Sequence, residues 1–445
     1  MTLLSSSLPR VTDFERFYED PLSFLAESRS TYGDIFVLRD GGPVFSRSED
    51  CAGAVAVFGS ANQRAVLSDI EVFALPVSAA EHLQLPATLV NLNRGLHSMR
   101  GEQHTVQQRT MLAVLSENAI EEQGGAVDDE LESFMADIRE GDTVPLLPSM
   151  RKLALQVSTS LLFGDYPERA DLVRLLHLFF QARREGTSQR RSLSESGRNE
   201  LIALGESSDQ ALRRFIGGGR RQTAATSEGL LTRLCRTAGN NLSDDELVAH
   251  CNVFFMSSNE PIAVSLTWIL LILSQLPDLR WELRAEGGPS LQWVINEVLR
   301  LLTPNAMMVR VTTERAKLDG VELPECCELV LCPFLAHRDP DRFPQPERFL
   351  PQRWRNFKPS PFEYFPFGAG GHACVGQRLA MYLLKTVLSR LLQLDLVLDG
   401  NQEVDWGIDI MLTPVNDVMI KVREANSPID DAGKLLGPVA QLVRF

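Results

Sequence analysis

One cysteine stands out for the company it keeps. Cys374 lies within Phe365-Pro-Phe-Gly-Ala-Gly-Gly-His-Ala-Cys-Val-Gly-Gln-Arg-Leu-Ala-Met381, a glycine-rich stretch that runs into apolar, helix-compatible sequence over residues 375–391. Gly368, Gly370 and Gly371 permit backbone angles that other residues resist, and they let a flat ligand lie against the main chain. A thiolate delivered to a helix N-terminus is stabilised by the first free N–H groups and by the helix dipole. Cysteine thiolate is also one of the few axial ligands that a protein offers to haem iron, where it favours O–O cleavage. The simpler reading is a buried free cysteine beside a turn.

Three other groupings carry chemistry. Ser257-Ser258-Asn259-Glu260-Pro261 sits inside a long apolar segment that ends in Leu266-Thr-Trp268. A proline there removes the N–H at 261, so the carbonyl of Ser257 loses its i−4 partner and the helix bends. Ser257 and Ser258 lie one turn back, so either is placed to donate a hydroxyl hydrogen bond near the bend. Glu297 and Arg300 stand three apart on one helical face, a spacing at which they pair. His104 opens a further helix, with Gln108 four residues on and Arg109 after it.

Together these motifs resemble the cytochrome P450 family. Phe367-Gly-x-Gly-x-His-x-Cys-x-Gly376 matches its haem-ligand loop, Glu297-x-x-Arg300 its Glu-x-x-Arg motif, and the segment through Trp268 its distal helix. Flanking matches at Ala336-His-Arg-Asp-Pro340 and Pro351-Gln-Arg-Trp354 spread the likeness over nearly the whole chain. The resemblance implies a mainly α fold with a smaller β-rich region, a single domain over residues 1–445 and haem b as cofactor. Cys374 would be the metal ligand. Phe367, Gly368 and Gly376 would shape the loop around it. His104, Gln108 or Arg109, Arg310 and His372 would meet the haem propionates, with Gln108 able to donate a hydrogen bond but not a charge. Arg348 would join Glu297 and Arg300 in a buried structural network behind the haem. Ala306, Met307 and Met308 fall where the family lines its pocket.

The distal helix departs from the family. Its usual pattern is small-Gly-x-acid-Thr; here the acid is kept as Glu260 and the threonine is replaced by Pro261. Threonine bends this helix by bonding its hydroxyl to an i−4 carbonyl. Pro261 is therefore expected to keep the groove and lose the hydroxyl. Glu260 would belong to proton delivery, with Ser257, Ser258 or a substrate hydroxyl replacing the lost donor. The main expectation is O2- and electron-dependent oxidation of a small organic substrate, as in secondary-metabolite biosynthesis, with a ferredoxin and ferredoxin reductase as donors. Three rivals remain: a peroxide-driven enzyme, an isomerase or dehydratase that does not activate O2, and a haem-binding partner without activity. Peroxide users of the family carry an arginine beside the proline; the neighbours here are Glu260 and Ile262.

The elements that must position these residues read as follows. Helices are expected over 13–33, 60–72 with Ser60 as N-cap, 117–138, 148–163, 168–184, 196–215 and 246–276. Short strands are expected at 34–38, 54–58 and 415–422. Residues 73–103 read as an irregular loop over the pocket. The basic run Arg183–Arg198 reads as a solvated loop, or as a place to meet an anionic or carrier-bound substrate. Gly217-Gly-Gly-Arg-Arg and the residues to 229 read as another loop. The tail 424–445 reads as either a docked tail or a frayed end, and termini default to the latter.

Bulk properties set outer limits. The 445 residues are 44% hydrophobic, enough for a large core, and carry a net charge of −14. That charge argues against nucleic acid and against an anionic membrane surface. Seven cysteines show no CxxC spacing, so neither a disulfide framework nor a zinc site is indicated, and a reducing cytoplasm fits. The N-terminal residues lack a basic region and a long apolar run, so no membrane anchor is expected there. No dinucleotide-binding fingerprint is present for a fused reductase.

Overall fold

The computed structural model describes all residues except 1–3, 5–6, 47, 49, 77–84, 188–193, 222–227, 240, 287–288, 410 and 424–432. Helices dominate. The strands gather into one five-stranded sheet and several small ones.

The five-stranded sheet sews distant parts of the chain together. Its order is Ile35–Asp40, Gly53–Val57, Cys327–Leu331, Met308–Thr312 and Phe73–Ala74. Gly53–Val57 pairs parallel with Cys327–Leu331, and the other pairs are antiparallel. These two parallel strands are buried at every residue, in keeping with their small and branched apolar side chains, Glu328 apart, whereas the third inner strand, Met308–Thr312, is only partly buried. Beneath them Val55, Val57, Leu329 and Leu331 form a core that includes Phe365, at the start of the cysteine loop.

The larger core surrounds the helix Asp244–Ser274. Ser243 and Glu246 close a reciprocal capping box at its start, so two unsatisfied donors are met there. Every residue from Ile262 to Ser274 is buried, and the indole N–H of Trp268 donates to the carbonyl of Leu412 at 2.9 Å. This is the one helix among the described residues long and apolar enough to cross a membrane, and most of it is inside the protein.

Several expectations need correction. Gly59, not Ser60, is the cap residue of the helix Ser60–Ser68; its positive φ of 82° and an Asp34 oxygen 2.7 Å from where a Cβ would stand both require glycine. The expected helix over 117–138 is two, Glu117–Glu121 and Gly124–Ala136. The helix begun near 196 runs over Glu195–Arg221 and absorbs Gly217, Gly218 and Gly219. Its packing explains this: Gly219 packs closely on Cys235, where an added Cβ would stand 3.0 Å from that of the cysteine, and Arg220 ties the end to the carbonyl of Leu242 at 2.9 Å and to Asp244 at 3.0 Å. Tertiary contacts there outweigh the low helix propensity of glycine. Much of the basic run near 190 and of the loop near 225 lies outside the described residues.

The last residues are docked. Leu435 and Leu436 pair parallel with Gln402 and Glu403. Val439 and Val443 are buried, and Arg444 exchanges backbone hydrogen bonds with Glu347 and Phe349.

Candidate active site

Cys374 is placed by hydrogen bonds that its own loop makes. Its N–H donates to the carbonyl of Phe367 at 2.9 Å, and Gly368 N–H donates to Phe365 at 2.9 Å. Gly368 and Gly370 both hold φ of 71°. A Cβ on Gly370 would stand 1.8 Å from the carbonyl oxygen of Leu67, so backbone meets backbone there without space for a side chain. Phe365 N–H donates to Nε2 of the fully buried His337 at 2.9 Å, which fixes that ring neutral with its proton on Nδ1. The helix Gln377–Leu391 starts three residues beyond the cysteine. Burial pushes the Cys374 thiol above its usual range, and the N–H of Gly376 partly opposes this. The loop therefore holds a thiol that becomes a thiolate when a metal binds it.

The residues expected at the propionates divide into two groups. His104 is buried, and its ring lies 4.8 Å from that of His372, edge to face. His372 is held neutral, with its pKa pushed down to about 4 by burial and then by the charge of Arg310. Arg310 is 1% exposed; one guanidinium N–H reaches its neighbour's carbonyl on Val309 at 2.8 Å, while Nε has no protein partner. Burial lowers its pKa to about 10. Gln108 turns toward the loop and donates to the carbonyl of Gly371 at 2.8 Å. Arg109 does not join them. It follows His104 by five positions, lies on the opposite face of the helix Gly101–Val114 and is exposed.

These residues fit haem. A thiol offered at a glycine-rich loop suits iron, and a buried arginine with an unmet Nε beside two histidines suits carboxylates. Cys374 would hold the metal; Arg310, His372 and His104 would hold the propionate edge.

The distal helix runs through Pro261 without a break in helical structure. Side chains feed the carbonyls around the proline. Ser258 Oγ and Asn259 Nδ2 both donate to the carbonyl of Phe255, at 3.1 and 2.7 Å, and Ser265 Oγ donates to that of Pro261 at 2.7 Å. Ser258 is thereby spent, whereas Ser257 is exposed. Glu260 is clamped: Arg151 Nε lies 3.1 Å from both carboxylate oxygens and Nη2 2.5 Å from one, with Arg184 3.8 Å away. Arg151, on the helix Leu146–Phe163, gave no sign in the sequence, since 109 positions separate it from its partner.

Behind the loop, Glu297 and Arg300 are completely buried and form a two-pronged pair at 2.9 and 3.0 Å. The third arginine is Arg353, not Arg348. Arg353 Nε donates to Glu297 at 3.0 Å, joined by the indole N–H of Trp354 at 2.9 Å and the N–H of Leu350 at 2.9 Å. Arg348 gives only its backbone carbonyl, to Arg300 at 3.1 Å; its side chain is exposed and reaches Gln345. The short 3₁₀ helix Pro351–Arg355 explains the exchange, because it carries Arg353 and Trp354 back over the carboxylate. The adjacent Arg-Trp at 353–354 was the available signal.

Comparison with known proteins agrees with this fold. The family model for cytochrome P450 matches residues 79–402. Cyclooctat-9-en-7-ol 5-monooxygenase of Streptomyces melanosporofaciens is 26% identical over 67% of this chain and 72% of its own. Human cytochrome P450 4V2 is 27% identical over 57% of this chain, and the match spans about half (54%) of that relative's length. In fold, the retinoic acid-bound cyanobacterial CYP120A1 superposes with a TM-score of 0.78 at 20% identity, covering 94% of this chain and 99% of the other. The cytochrome P450DA haem domain gives 0.77 at 19%, covering 97% and 100%. The chain belongs to the cytochrome P450 family. Its class is therefore haem-thiolate monooxygenase, with haem b as cofactor.

Proposed function

We propose that this protein oxidises a small, largely apolar organic molecule in a dedicated biosynthetic step, using dioxygen and electrons from a separate ferredoxin and its reductase in the cytoplasm. The observation that supports this reading is the loop carrying Cys374 and His372, with the His372 ring 4.8 Å from that of His104 and a buried Arg310 whose Nε is unmet. When bound there, haem supplies the iron at which dioxygen is reduced and one oxygen atom passes to the substrate. The relative that hydroxylates cyclooctat-9-en-7-ol supports a terpenoid-like substrate. The half-buried Phe254, Met256 and Met307 support it too, since flexible thioethers adapt to an irregular apolar shape. All seven cysteines are free, in keeping with a reducing compartment. Exposed Arg109, beside exposed Val106 and Leu112, offers a mixed basic and apolar face to an acidic carrier.

The chain's own residues would then act as follows. Glu260, held by Arg151 and near Arg184, which are each 37% exposed, would relay protons from the solvent side. Ser257, one turn before Pro261, offers the hydroxyl that the proline lacks. Pro261 leaves the carbonyl of Ser257 without an N–H, an acceptor for water or for a substrate hydroxyl.

The test compares turnover with NAD(P)H, reductase and ferredoxin against turnover with hydrogen peroxide alone, over a panel of terpenoid alcohols. Product from the first only is expected, and Ser257→Ala should lower product formed per NAD(P)H several-fold while Ser258→Ala leaves it unchanged. Turnover by peroxide alone would replace this reading with the peroxide-driven one, for which the loss of the threonine hydroxyl is the supporting observation.

A further inference from the structure

A cavity of about 390 Å³ lies between residues 91–100, the first turn of the helix Gly101–Val114 and the start of the distal helix, and it reaches His372. Its wall carries Arg94, Arg100, His97, Asn93, Gln103 and Glu246, and Arg94 is already partnered. Glu246, the one acid of this wall, is already engaged. It accepts from Ser243 N–H at 2.9 Å, from Gln107 at 2.6 Å and from Gln103 at 3.3 Å. Arg100 differs. Among the described residues its guanidinium has no hydrogen bond and no ion pair, and it shares the wall of this cavity with His372.

The neighbouring charges explain why this matters. Haem b carries two carboxylates at one edge. Arg310 is the buried cation on the sheet side. The helix Gly101–Val114 contributes no cation to that edge, because Gln108 is neutral and bound to Gly371, and Arg109 points outward. A carboxylate enclosed beside the packed rings of His104 and His372 loses water, a cost that an opposite charge would offset.

We propose that Arg100 supplies the positive charge missing from position 108 and binds the second haem propionate across this cavity. The proposal rests on haem being the cofactor, and it makes an N-cap residue do the work of a mid-helix arginine. Position 100 precedes the first helical turn, so its side chain approaches the cavity from the end of the helix, not from its flank.

The test is haem transfer to apomyoglobin from wild type, Arg100→Gln and Arg100→Lys, each loaded with haem or with its dimethyl ester. Arg100→Gln is expected to lose haem about tenfold faster, the size of one partly enclosed charge-assisted contact. Arg100→Lys should fall within about threefold of wild type, because it keeps the charge. The gap should vanish with the ester, which has no carboxylates, and narrow at high salt. Equal release from wild type and Arg100→Gln, or an equal gap with the ester, overturns the proposal. So does weakened binding of an anionic substrate with haem release unchanged, which would make the cavity an anion site of another kind. A wild type that takes up no haem contradicts the cofactor itself, a separate failure. If Arg100→Gln does not fold, the double variant Arg100→Gln, Gln108→Arg decides: slow release restored supports the proposal, and continued failure to fold or fast release refutes it.

Discussion

At the residue scale the chain depends on groups whose protonation is fixed by burial. His337 is the clearest case. Its Nε2 must accept from Phe365 N–H, and burial, reinforced by Arg300 and Arg338, holds its pKa well below the usual 6.5. His250 is similar, at about 4, with Nε2 against the amide oxygen of Gln107. The folded state thus resists protons that the unfolded chain accepts. The stability these rings contribute is complete above about pH 6.5 and falls below it, by up to ~1.4 kcal/mol per pH unit for each ring. Urea unfolding of the protein between about pH 7.5 and 5.5 should show that slope, and His337→Gln, which keeps an acceptor, should reduce it by about one ring's share. An unchanged slope in the variant would show that His337 is protonated in the fold.

Elements add constraints that single residues do not carry. The cysteine loop can be built only because Gly370 passes the carbonyl of Leu67 with no side chain. Gly370→Ala, with φ of 71° and a contact of 1.8 Å, should cost more than ~2 kcal/mol and abolish haem uptake. Gly371→Ala meets only the side chain of Ile70, whose nearest methyl is 2.7 Å away, and should be the milder change in the same absorbance assay. Behind the loop, Glu297 gathers Arg300, Arg353, Trp354 and Leu350 with no exposure to water. Glu297→Gln leaves buried guanidinium charge uncompensated and should cost about 3–5 kcal/mol in a denaturant titration. Arg353→Ala should be clearly destabilising, whereas Arg348→Ala, exposed and bonded only to Gln345, should stay within about 0.5 kcal/mol. Equal effects would restore Arg348 to the network.

On the scale of the whole molecule, the termini and distant segments are bound to the site. Residues 433–445 bury Val439 and Val443, pair with Gln402 and Glu403, and give Arg338 the carbonyl of Leu442 at 3.1 Å. Deleting them should cost on the order of 3–5 kcal/mol, from two valines and their backbone bonds, seen as a lower Tm. The tail was unreadable because its apolar residues are sparse and its partners lie far off in the chain. The same reason separates what was legible from what was not. Cys374 and its glycines, the Glu297–Arg300 pair and the proline within the distal helix are local patterns, with spacing set by one loop or one helix. The clamp of Arg151 on Glu260, the seat of Arg353 and the cavity face of Arg100 arise from segments that meet only after folding. Even Gly217–Gly219, a loop by composition, is helical, with Gly219 packed closely on Cys235 and Arg220 tied to Leu242 and Asp244.

The most direct measurement is the absorption of the reduced, carbon monoxide-bound protein, wild type against Cys374→Ala, both supplied with haem. The account predicts the strongly red-shifted band of thiolate-ligated haem in wild type and its loss in the variant. A wild type that stays colourless, or the same band in both proteins, would contradict it.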